Sequence, residues 1–244
     1  MALIAHGAGV DLSYTERGDG PPVLLVHGLA SDAAAMAPLG EALAGAGGRV
    51  IAYDRRGYGA SGVPEPYGGT TVEEQAEDAA ALLRGVAGEP ALVVGDGFGA
   101  LVAMDVVRRH PRLVRAVALS DPPLFMFVRS ATIELSEQRA EIEEAVRARG
   151  PAAGVEVWLS GRVDAATLAR ARASFRGFFA DYAGLASWGV TRQELRRLAV
   201  PAAVVTGPGT PPHVVAAADE LTALLPDARR STDGDLGAAA RALL

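Results

Sequence analysis

The chain of 244 residues contains no cysteine. That absence excludes disulfides, thiolate nucleophiles and cysteine-ligated metals together, and it fits a cytoplasmic setting. Lysine is absent too, so all 23 basic side chains are arginine. Schiff-base chemistry and a tuned lysine base are therefore excluded. No apolar run approaches the roughly 18 residues that a membrane span needs. The start, Met1-Ala-Leu-Ile-Ala-His, lacks a positive segment followed by an apolar core, so no signal peptide is expected. There is no basic run, and the formal charge is -6, which leaves no electrostatic footprint for nucleic acid. No group of histidines and carboxylates has metal-ligand spacing, and no cofactor is expected. Aromatics are scarce, at 5%, so the place where they gather is informative.

What is present is a rhythm. Apolar runs of strand length, Val23–Val26, Val50–Tyr53, Ala91–Val94, Val114–Leu119 and Ala202–Thr206, alternate with segments of helical period near Asp32–Ala46, Val72–Val86, Phe98–Arg109 and Val214–Leu225. Strands that are apolar throughout and separated by helices predict a mostly parallel, doubly wound α/β sheet buried on both faces. Leu3–His6 and Val10–Thr15, turned by Gly7-Ala8-Gly9, predict an antiparallel hairpin at its edge. A short Arg229–Ser231 strand and a last helix, Leu236–Leu244, close the chain.

Between Asp121 and Val200 the strand rhythm stops. Ile133–Arg149, Ala152–Leu159, Ala165–Tyr182 and Thr191–Arg197 read as helices, with breaks at Gly150-Pro151 and Gly161. The expected organisation is one integrated domain: an α/β core from 1–122 and 198–244, and a helical cap insertion from 123–197. Trp158, Phe175, Phe178, Phe179, Tyr182 and Trp188 gather in that insertion. Aromatics at helical spacing usually pack a core, but a cap presents one face to what lies beneath. Trp158, Tyr182 and Trp188 are therefore candidate pocket residues.

Four motifs in order resemble the α/β-hydrolase family: "LLVHG" (24–28), "YDRRGYGASG" (53–62), "VVGDGFGA" (93–100) and "VPAAVVTG" (200–207). Together they cover nearly the whole chain outside the insertion. The resemblance implies that Gly97 stands at the nucleophile position, Thr210 at the acid position, and Gly234-Asp235 where the family carries Gly-His. No histidine follows His213. The resemblance thus implies a chain without the Ser-His-Asp triad. It also implies an oxyanion hole from the backbone amides of Leu29 and Phe98, beside the His27-Gly28 loop.

The ionisable candidates are then few. Asp235 is either the acid–base group on the pocket floor or the N-cap of the last helix. Asp96 is either a pocket carboxylate or one held by nearby backbone amides. Asp121 ends the strand after the elbow helix, as a polar pocket wall or a helix cap. His27 reads as a loop-holding residue and His213 as surface or cap. From these features the sequence predicts a non-hydrolytic enzyme of cyclase, lyase or isomerase type, suited to natural-product biosynthesis, with a small hydrophobic carbonyl compound as its ligand. A binding pseudoenzyme, or a hydrolase that activates water through Asp96 or Asp235, are the alternatives.

Overall fold

Val23, Leu24, Leu25 and Val26 are all buried to within 1%, although successive side chains of a strand point to opposite faces. Such a strand must be covered on both sides, and the architecture supplies the covers. The computed structural model describes residues 2–185 and 187–244. Its strands are β1 (Leu3–His6), β2 (Asp11–Arg17), β3 (Pro22–Val26), β4 (Arg49–Tyr53), β5 (Ala91–Asp96), β6 (Val114–Ser120), β7 (Ala202–Val205) and β8 (Ala228–Ser231). Its helices are α1 (Ala37–Gly45), α2 (Val72–Leu82), α3 (Phe98–Arg109), α4 (Ala131–Arg149), α5 (Pro151–Leu159), α6 (Ala165–Ala173), α7 (Phe175–Gly184), α8 (Arg192–Leu195), α9 (Pro212–Leu224) and α10 (Leu236–Arg241).

One sheet runs in the order β1-β2-β4-β3-β5-β6-β7-β8. β1 and β2 join antiparallel at one edge, and from β4 to β8 every pairing is parallel. This is the mostly parallel, doubly wound sheet that the alternation of apolar runs and helices predicts. The two faces divide the apolar residues by parity. Val23, Leu25, Leu92 and Val94 pack with Leu43 of α1 and Ala240 of α10, whereas Leu24, Val26 and Val93 pack with α2 and α3.

Local chemistry sets the helix ends. Thr71 and Glu74 form a reciprocal capping box at the start of α2. The helix expected from Asp32 begins only at Ala37, where Pro38 sits in the first turn. The single helix expected over Ala165–Tyr182 is two, α6 and α7, broken at Ser174 (φ -93°, ψ 24°). Among the described residues, α4 to α8 lie between β6 and β7. No helix among the described residues is long and apolar enough to cross a membrane.

Candidate active site

In a parallel sheet, loops leaving the carboxyl ends of neighbouring strands converge. A cavity of about 230 Å³ opens there, and the carboxyl ends of β3, β5, β6 and β7 lead into its wall. Gly28 and Leu29 follow β3. Asp96 ends β5, and Gly97 and Phe98 follow it. Asp121 follows β6, and Pro211, His213 and Val214 lie beyond β7. Trp158 and Arg162, at the end of α5 and just past it, and Leu135 and Gln138 of α4 complete it from the inserted helices.

Gly97 sits between β5 and α3 with φ 51° and ψ -118°. A side chain there is strained by its own backbone, at a cost of about 1–3 kcal/mol. Space is not the obstacle: a Cβ would meet only Gly28 Cα, at 3.8 Å. Gly97→Ser is therefore expected to lower stability by about 1–3 kcal/mol through conformation alone. A melting temperature equal to that of the wild type would contradict the assigned backbone angles.

Asp96 and Asp121 come together because β5 and β6 pair with Asp96 opposite Ser120. Asp121 follows in a left-handed conformation (φ 44°). Its N–H donates to Val205 O at 3.0 Å. Its Oδ1 accepts from the Thr210 hydroxyl at 2.7 Å, and that hydroxyl accepts the Gly207 N–H at 2.8 Å. The threonine at the expected acid position thus holds a carboxylate that arrives from the neighbouring strand. Burial lifts the Asp96 carboxyl from 3.8 to about 6, the charge of Asp121 adds to the lift, and a hydrogen bond with the Ser120 side chain opposes it. The Asp96 carboxylate also lies close over the loop after β3, where a Cβ on Gly28 would stand 3.2 Å from Oδ2. Asp96 is therefore a pocket carboxylate, beside Leu29 and Phe98. Phe98 opens α3, so its N–H has no acceptor within the helix.

Behind this loop stands a buried polar core. His27 is fully buried. Its Nε2 accepts the Arg55 backbone N–H at 3.0 Å, which leaves Nδ1 to carry the proton and donate to Gly28 O at 2.9 Å. Burial, reinforced by the Arg55 charge, holds its pKa well below the ordinary value, so the ring is neutral. The Arg55 guanidinium donates to His27 O at 2.9 Å, Gly28 O at 3.0 Å and Asp181 Oδ2 on α7 at 2.6 Å. Tyr58 and Gln75 donate to the same carboxylate at 2.9 and 2.8 Å.

The structure corrects several expected site residues. Asp235 does not reach the cavity; it is exposed and accepts the Ala238 N–H at 2.7 Å as the N-cap of α10. His27 has both ring nitrogens occupied and does not line the wall. Trp188 is buried elsewhere because its indole N–H finds Asp105 Oδ1 at 2.8 Å. Tyr182 packs edge-on against Trp158 and faces a neighbouring cavity. Leu29, Phe98, Gly28, Asp96, Gly97, Asp121 and Trp158 do line the cavity. His213 and Arg162 were not expected there. The signal for His213 was its place just after β7, whose carboxyl end opens on the same side as β5.

Comparison with known proteins is consistent with this frame. A family model described as alpha/beta hydrolase fold matches residues 21–160. The uncharacterized hydrolase YraK of Bacillus subtilis is 34% identical over 133 residues, which are 54% of this chain and 49% of that protein. The 2-(acetamidomethylene)succinate hydrolase of Mesorhizobium japonicum is 31% identical over 157 residues, 63% of this chain and 52% of that protein. This chain thus spans about half the length of the curated relatives it matches. The crystal structure of an alpha/beta hydrolase from Sphaerobacter thermophilus is 25% identical, with a TM-score of 0.70 over 94% of this chain and 91% of that one. The relatives carry the names of hydrolases, and this overturns the expectation of a cyclase, lyase, isomerase or binding pseudoenzyme.

Proposed function

The chain belongs to the α/β-hydrolase family, and from that premise we propose that it is a hydrolase of small amides or esters in which Asp96 activates water. The observation that carries this reading is the Asp96 carboxyl, poised near 6 in the wall of a cavity it shares with Leu29, Phe98 and Asp121. A base is most effective with a pKa near the working pH.

On this reading no serine acts as nucleophile, because Gly97 occupies the elbow and carries no hydroxyl. A water molecule attacks the substrate carbonyl carbon as Asp96 takes one of its protons. The carbonyl oxygen gathers the charge and is held by the Leu29 and Phe98 amides. Collapse breaks the bond to the leaving nitrogen or oxygen, and the protonated Asp96 returns its proton to that atom. The residues 123–197 act as a cap that encloses the reaction. The names of the relatives, among them hydrolases of an acetamido compound and of a carbamate, support an amide-like substrate.

The test is a pH profile. Because burial and Asp121 raise the Asp96 pKa, the active carboxylate form is lost on acidification. The value of kcat/KM should fall about tenfold per pH unit below 6 and level off above 7. Asp121→Asn removes a like charge, so the inflection should move down while burial keeps it above 3.8. A flat profile from pH 5 to 8 would remove Asp96 from the base role. A fluorophosphonate should leave the active enzyme unlabelled, whereas stoichiometric capture of a serine would replace water attack by an acyl-enzyme.

A further inference from the structure

The Leu29 amide belongs to one rigid group, the Gly28–Leu29 peptide, whose other end is the Gly28 carbonyl. This peptide is trans, so its C=O and N–H point in opposite directions, and whatever grips the carbonyl also aims the amide. Two donors grip it, His27 Nδ1 at 2.9 Å and Arg55 Nη2 at 3.0 Å. Both come from the buried core behind the loop. The N–H therefore faces away from that core, and among the described residues it meets no acceptor. Arg55 is itself tied down: Nε donates to His27 O at 2.9 Å and Nη1 to Asp181 Oδ2 at 2.6 Å. Its guanidinium lies 4.9 Å from the ring centroid of Phe98, the residue that carries the other amide of the pair, and 4.8 Å from that of Tyr58. Burial opposes its charge, but the Asp181 carboxylate and its neighbours more than offset this, so the guanidinium stays charged. A charged donor on a carbonyl polarises the peptide, and a polarised peptide is a stronger N–H donor.

We propose that Arg55 is a positioning residue for the reaction: through the Gly28 carbonyl it aims and strengthens the Leu29 N–H toward the forming oxyanion, and Asp181 holds it in that role. The proposal rests on the hydrolase reading and deepens it. It makes the inserted helices part of the reacting geometry, because α7 reaches the substrate carbonyl through one side chain and one peptide group. The substrate oxygen carries most charge in the transition state, so the contribution is felt there more than in binding.

The experiment compares the wild type with Arg55→Lys and with the double variant Arg55→Met/Asp181→Met. Lysine keeps the charge but not the planar fork that reaches His27 O, Gly28 O and Asp181 together. The double variant removes both charges, so neither is stranded in the core. With 4-nitrophenyl acetate, kcat should fall by about tenfold or more in each variant while KM stays within about threefold. An unchanged kcat, or a loss carried by KM alone, would overturn the proposal. A second readout needs no turnover. Trifluoroacetone forms a hydrate with the tetrahedral shape of the intermediate. Its titration should shift the Leu29 amide resonance in the NMR spectrum of the wild type, and each variant should bind it about tenfold more weakly. If no ester is turned over, the hydrolase reading fails and the titration decides by itself. A wild-type Leu29 amide that does not respond, or folded variants that bind as the wild type does, overturns the role of Arg55.

Discussion

Replacing Asp96 by asparagine is expected to lower kcat/KM by about 10²-fold or more, the usual contribution of a positioned base, while making the fold more stable. Asparagine keeps the size and an acceptor for Ser120 but takes no proton from water. The stability gain has a definite sign. The folded state holds the Asp96 proton up to about pH 6, whereas the ordinary value is 3.8. Ionised Asp96 therefore opposes folding. That penalty is absent below about pH 4, grows between 4 and 6, and reaches roughly 3 kcal/mol above 6. Thermal unfolding at pH 7.5 should place Asp96→Asn above the wild type, and the two should converge at pH 4. A variant that keeps more than a tenth of the activity would sink the catalytic role. One that loses stability at pH 7.5 would contradict the burial argument.

The largest effect on stability is expected at Asp181. Both Asp181 and Arg55 have side chains wholly out of solvent. Asp181→Ala strands a guanidinium in the interior together with the Tyr58 hydroxyl and the Gln75 amide that donate to the same carboxylate. Breaking one side of a buried pair costs about 3–5 kcal/mol, which for a chain of this size lowers the melting temperature by on the order of 10 °C. Arg55 also holds the Gly28 carbonyl, so the loss should extend to catalysis. Asp181→Asn, which keeps acceptors for Tyr58 and Gln75 but not the charge, should fall between wild type and alanine. An alanine variant that melts within 2 °C of the wild type, about the shift expected from 1 kcal/mol or less, would show that the pair contributes little.

The fold was legible because parallel strands buried on both faces must be apolar throughout, as Val23–Val26 and Ala91–Val94 are. The elbow was legible because the glycines around residue 97 are required by backbone approach and sign of φ rather than by chemistry. The site was less so. Asp235 has the same letter whether it caps a helix or lines a pocket, and the local bond to Ala238 took it. Trp188 needs a buried acceptor, and the one it finds is 83 residues away, beyond any local pattern. His213 and Arg162 join Asp96 only through the convergence of strand ends and inserted helices. The reaction class was misjudged for a related reason. The expectation of a non-hydrolytic enzyme rested on the letters at 97, 210 and 235, and Asp96 carries the same letter whether it lines a pocket or is held by backbone amides.

The tie between Arg55 and Asp181 also decides where the molecule can yield. A route into the reaction site that lifts α7 has to pull a charged pair apart with no water at hand to replace either partner. A route that swings α4 meets much less resistance, because among the nineteen residues of that helix only Ala131, Ile142 and Ala145 are buried. The α7 side of the site is thereby the more costly one to open.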